Sequence, residues 1–172
     1  GLLIGVLAWP QGAGGQLRST LADLLDKGRR YTTLAARSLL AGTAKDKEAE
    51  LASVRSDMIG ATHRVEDVFT QYLTEVGQRR VPLPVWGDLL AAGLRLWYTT
   101  DTVMVHASDT SGVRDPVCPS LAGFLEQAAD QLDVAFGRAA AALRAGTSVT
   151  LDAPFPPEKV VGPYSSECIT AL

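Results

Sequence analysis

The sequence predicts an all-α protein, an up-and-down bundle of four long helices followed by an irregular Pro-rich C-terminal tail. Three observations carry that expectation. Apolar residues recur every three or four positions over four long stretches; Gly and Pro mark the breaks between them; and no stretch shows the alternation of a half-buried strand.

The first helix is expected from about Gln16 to Ala41. Leu17, Leu21, Leu24, Leu25, Tyr31, Leu34 and Ala35 give it an apolar stripe. Asp23 with Lys27 and Asp26 with Arg30 are i,i+4 pairs in the favourable acid-first order. Gly42-Thr43 supplies the stop. The second helix, about Lys45 to Val76, has the clearest pattern. Leu51, Val54, Met58, Ala61, Val65, Val68, Tyr72 and Val76 form a seam, and Lys47, Glu50, Arg64 and Asp67 mark the solvated side.

Two prolines break the chain in residues 77–84 (GQRRVPLP). A third helix follows from about Pro84 to Ala107, carrying Trp86, Leu89, Leu90, Gly93, Leu96, Trp97, Val103 and Met104. It has little polar face, which implies a central helix or one covered by another surface. Residues 108–119 read as a loop, and Ser120 is the expected N-cap of the fourth helix. Leu121, Phe124, Leu125, Ala128, Leu132, Ala135, Phe136, Ala139 and Leu143 form its stripe up to Gly146.

The chain has 172 residues, 47% hydrophobic and 20% charged, which suits one domain with a full core and argues against disorder. A net charge of −3 gives no basic footprint, so nucleic acid is not an expected partner. Asn is absent while Ala, Leu, Arg and Gly abound, a usage that suits a GC-rich bacterial genome.

The opening GLLIGVLAWPQGAGG allows three readings: a strand with a phosphate loop, the end of a membrane helix, or a short buried helix or apolar arm of a soluble domain. As a strand and phosphate loop it fails the dinucleotide fingerprint: Gly12 and Gly14 fit, but Leu17 occupies the third glycine position, and no alternating strands follow. As the end of a membrane helix it fits better. A span needs about twenty apolar residues, of which residues 1–9 would be the last turns. Trp9 suits the headgroup belt, Pro10 stops the helix, and Arg18, Lys27, Arg29 and Arg30 follow on what would be the cytoplasmic side. The expected organisation is therefore a membrane exit over 1–11, a helical domain over 12–146 and an extended tail over 147–172.

Three segments carry a family resemblance: WPQGAGGQLRSTLADLL from Trp9, FTQYLTEVGQRRVP at 69–82 and LLAAGLRLWYTTDTV at 89–103. Together they resemble the fusaric acid resistance (FUSC) family of aromatic-acid-exporter-like membrane proteins. Phe69, Tyr72, Leu73, Glu75, Gly77 and Pro82 fit its segment before a basic-Pro turn. The resemblance covers about residues 1 to 145. It implies a cytoplasmic helical domain with a structural, oligomerisation or gating role in a cell-membrane exporter of aromatic acids or similar small organic compounds, partnered by its own membrane domain and by further copies in a homo-oligomer. The family's transport path lies in membrane helices, so no substrate-binding residue follows for this domain. The alternative is a free-standing soluble bundle, an adaptor or ligand sensor.

No catalytic, metal-binding or cofactor-binding residue is expected, and no cofactor. His63 stands beside Arg64 and Glu66 on a solvated stretch, and His106 closes the third helix, where a cation favours the dipole. No Cys-x-x-Cys, His-Glu-x-x-His or Gly-x-Ser-x-Gly pattern occurs. Cys118 and Cys168 follow no ligand spacing, and Cys118 has only Arg114 nearby to activate it. Asp101 interrupts an apolar helix and is expected either to face solvent or to pair with an arginine such as Arg95 or Arg37, a structural pair being favoured over a functional carboxylate. Trp86, Trp97 and Tyr98 read as core or interface aromatics rather than as a ligand site. Phe155, Val160, Val161 and Tyr164 of the tail are candidate cover for the apolar third helix.

Overall fold

The computed structural model describes residues 13–74, 83–109 and 119–147. The apolar run 1–9, Val76, Cys118, Cys168 and the tail from Ser148 lie outside them. The described residues form four helices: α1 (Ala13–Leu40), α2 (Glu48–Thr74), α3 (Leu83–Asp109) and α4 (Pro119–Ala145). The fold is an all-α bundle, as the periodicity predicts.

The helix ends follow local chemistry. Gly42 has φ 67° and Gly146 φ 70°, the left-handed conformation that a side chain disfavours. After α1, Gly42 N–H donates to Leu39 O and Thr43 N–H to Ser38 O; after α4, Gly146 N–H donates to Leu143 O and Thr147 N–H to Ala142 O. Both Gly-Thr pairs thus close Schellman motifs. At its other end α4 departs from expectation. Pro119 opens the helix and Ser120 lies inside it, because proline's fixed φ and missing N–H suit the first helical position.

Helix α1 is the hub, and each of the other three packs against it more extensively than they pack against one another. Asp23 meets Arg64 of α2, and Asp26, Arg29 and Arg37 meet Arg144, Asp133 and Asp130 of α4. Both registers are antiparallel. Thr32 meets Thr100 of α3 at 2.8 Å, and Gly93 lies against Leu24, so α3 runs parallel to α1.

The hub position explains the composition of α1. Leu17, Leu21, Ala22 and Leu24 have no exposed surface, and Leu25, Tyr31 and Ala35 have almost none. The α2 seam is buried from Leu51 to Tyr72, and Ala139, Ala140 and Leu143 of α4 join the core built on the α1 leucines.

Helix α3 is a satellite rather than the centre. Trp86 is 3% exposed, but Val103 is 50% exposed and does not join the core. Its apolar residues spread over more of its circumference than α1 can cover. Leu125 of α4 likewise stays exposed.

Candidate functional site

Two polar constellations stand out among the described residues. The first joins three helices. Arg55 of α2 donates from Nε to Asp101 Oδ1 of α3 at 2.5 Å and from its second nitrogen to Oδ2 at 2.9 Å. Tyr31 of α1 donates its hydroxyl to the same Oδ1 at 3.2 Å. Asp101 is thus a structural pair, with a different partner from those expected. Arg37 turns to Asp130 of α4, and Arg95 lies exposed on α3.

Electrostatics fixes the protonation of this group. The bidentate hydrogen bond from Arg55 holds the Asp101 carboxyl below its usual range, and the same bond raises Arg55 further. Burial, aided by the Asp101 charge, pushes the Tyr31 phenol up to about 12. All three shifts move away from neutrality, whereas acid–base catalysis needs a group poised near the working pH. The arrangement is a clamp between α1, α2 and α3.

The second constellation is a charged groove of about 490 Å³ over the outer face of α1, between α2 and α4. Lys27 bridges to Asp23 at 3.2 Å, and Arg29 reaches both Asp26 at 2.9 Å and Asp133 at 2.8 Å. Arg144 of α4 closes on Asp26 as well. Burial is the largest influence on Asp26 and acts upward, but hydrogen bonds from Arg29 and Arg144 with their charges bring it below its usual value. The expected Asp26–Arg30 pair is replaced, because Arg29 and Arg144 reach the carboxylate instead. Arg30 and Glu50 line the groove with no ion pair among the described residues. Acids and bases balance here, so the groove presents no strong field of one sign.

The remaining candidates separate. His63 has an exposed side chain with Nδ1 3.8 Å from Glu66, and His106 is exposed in the last turn of α3. Trp86 is edge-on to Tyr72 with ring centres 6.1 Å apart, locking α3 to α2. Trp97 packs against the large core around Leu21, Leu24 and Met58 and against the smaller one of Tyr31, Ala35, Leu51 and Val54, while Tyr98, stacked on it at 4.6 Å, is 59% exposed. The buried indole N–H groups of Trp86 and Trp97 have no hydrogen-bond partner among the described residues. The three aromatics therefore do not converge on one pocket.

Sequence reasoning missed Arg55 and Tyr31 as partners of Asp101. An acid inside an apolar helix was the signal, but its partners are set by the register between helices. No group of three His, Cys, Asp or Glu suited to a metal occurs among the described residues. Among them, too, no helix is long and apolar enough to cross a membrane. Compared with known proteins, the chain matches no family model, no curated protein and no solved structure.

Proposed function

We propose that this chain is the cytoplasmic helical domain of a FUSC-like membrane transporter, standing end-on beneath its membrane-spanning part. Its role in that reading is structural: it docks under the membrane domain and joins copies of the transporter, with no chemistry of its own.

One observation carries the reading. Gly14 at the start of α1 lies against Tyr72 in the last turns of α2, Tyr72 meets Trp86 at the start of α3, and Arg18 lies against Gly146 after α4. The bundle therefore has one end at which the chain leaves toward residues 1–12, through 75–82 and into the tail. Those connections carry the apolar run with Trp9 and Pro10, and the adjacent Arg79 and Arg80. Leu73 and Val85, 43% and 46% exposed, flank the same connection. The opposite end carries the mixed-charge turn with Lys45, Asp46, Lys47 and Glu48. An apolar run and a pair of arginines on the connections at this end supply the polarity that a domain hung beneath a membrane needs.

Membrane fractionation of the parent protein, detected with an antibody against residues 13–147, tests this. The protein should pellet with membranes, resist alkaline carbonate and dissolve in detergent. Recovery in the soluble fraction overturns the transporter reading and favours the free-standing adaptor.

A further inference from the structure

Three satellites spread around one hub leave grooves between them, because packed helices must approach to about 8–10 Å and satellites of a common neighbour stand further apart. The α2/α3 groove is closed by Arg55–Asp101 and Tyr72–Trp86. The α2/α4 groove is the charged one. The third groove, between α3 and α4, has a different character.

On α3 the positions 85, 89, 92, 96, 99 and 103 follow a 4-3-4-3-4 spacing and hold Val, Leu, Ala, Leu, Thr and Val. Asp101 lies on the flank of α3 turned to α2, so this row is on the other flank, toward α4. On α4 the ion-pairing residues Asp133 and Arg144 face the charged groove. The opposite flank, at 125, 128, 132, 135, 139 and 142, holds Leu, Ala, Leu, Ala, Ala and Ala. The two rows contain no charge. Val85, Val103 and Leu125 are 46%, 50% and 38% exposed, and Leu89, Leu96 and Leu132 are half-buried. Two largely apolar rows thus flank one groove, along which Val85, Val103 and Leu125 stay exposed, while Ala139 is buried and Leu96 leans on Gly28 of α1.

We propose that the occupant is the chain's own segment 148–172, laid along the α3/α4 groove from the Val85 end toward the Val103 end. The starting point favours it. The α4 cap at Gly146-Thr147 lies by Arg18, at the same end of the bundle as Val85, so the segment begins at the groove's mouth. Its composition is mostly uncharged. Over residues 147–166 the charges are Asp152 and the adjacent, opposite-sign pair Glu158 and Lys159.

Its length also matches. Pro154, Pro156, Pro157 and Pro163 exclude a regular helix and favour extended chain at about 3.1 Å per residue, so Leu151 to Val161 covers about 31 Å. Val85 to Val103 rises about 27 Å along α3. Leu151 then falls near Val85, Phe155 near Ala92, and Val160 and Val161 near Val103. This inference does not rest on the transporter reading, since a free-standing bundle needs the same cover.

Disulfide trapping in the full chain tests it, with Cys118 and Cys168 replaced by Ser. A Val103→Cys, Val161→Cys chain is compared with an Asp57→Cys, Val161→Cys chain, Asp57 being exposed on the outer face of α2. Both pairs are tethered within one chain, so docking should make the first close within one molecule about tenfold faster than the second. Adding Phe155→Asp should abolish that advantage and raise binding of a hydrophobic dye. Equal closure at both sites overturns the proposal. So does a Val103→Cys product joining two chains, which would make a second copy the occupant. An advantage that survives Phe155→Asp, with no rise in dye binding, also overturns it.

Discussion

Leu24 Cδ2 stands 2.8 Å from the point where a Cβ on Gly93 would sit, and Leu24 Cγ is 3.2 Å from it. Helix α3 therefore approaches α1 at a position that only glycine leaves open. Leu24 has no exposed surface, so its methyl group cannot simply swing into water. Glycine in a helix interior costs about 1 kcal/mol relative to alanine, and this contact is what offsets that cost.

Gly93→Ala should consequently destabilise the domain by about 1–2 kcal/mol, overpacking outweighing the gain in helix propensity. Combining it with Leu24→Ala should cost less than the sum of the single changes, because the smaller side chain admits the new methyl. A urea-denaturation cycle over the four chains reads the coupling. Strict additivity would mean that α3 is free to move away from α1.

Val65 has no exposed surface, whereas its neighbour Arg64 is on the solvated side and bridges to Asp23 at 2.9 Å. Val65→Asp buries a carboxylate among apolar groups and should cost several kcal/mol, most of the stability of an ordinary domain. Arg64→Ala removes one exposed ion pair and should cost at most about 1 kcal/mol. Equal effects in a urea titration would place the α2 seam out of register.

These contrasts show what was legible in the sequence. The α2 seam was readable residue by residue, from Leu51 to Tyr72, because α2 buries one narrow stripe against one main neighbour. The hub was harder to read. Ala22, Gly28 and Ser38 are buried on α1 in addition to its large apolar residues, and small residues carry little hydrophobic signal although they permit close neighbours. Helix α3 read as either central or covered by another surface because it is apolar almost all round, and periodicity cannot tell which of its apolar faces meets a neighbouring helix. Local i,i+4 rules gave Asp23–Lys27 but not the partners of Asp26. There, Arg144 comes from α4, 118 positions along the chain, and only the packing of α4 on α1 brings it near.

The clamp at Asp101 makes a prediction at each end of the pH scale. Its carboxyl is held below the ordinary value of 3.8 by Arg55, so the stability it contributes is present above that value. Acid removes that contribution as pH falls through the lowered pKa. Asp101→Asn should flatten this acid loss and leave Arg55 to solvent, at a cost of about 1 kcal/mol near neutrality. Denaturation at pH 7 and pH 3 measures both. An unchanged acid slope would assign that loss to other carboxylates.

Tyr31 provides the alkaline counterpart. Its pKa rises from 10.0 to about 12 on folding because burial, reinforced by the Asp101 charge, disfavours the phenolate. A raised pKa contributes stability that is complete below pH 10 and is lost as the pH climbs toward 12. Two pKa units correspond to about 2–3 kcal/mol in total, and roughly half of that is lost by pH 11. Tyr31→Phe keeps the ring in the core but removes both the titration and the hydrogen bond to Asp101. At pH 7 the variant should be weaker by about 1 kcal/mol, the ordinary net worth of such a bond. As pH rises the parent should lose what the variant cannot, so the two urea midpoints should converge near pH 11. A gap that stays constant from pH 7 to pH 11 would mean that Tyr31 titrates alike in the folded and unfolded chains, and that the hydroxyl is not held inside the clamp.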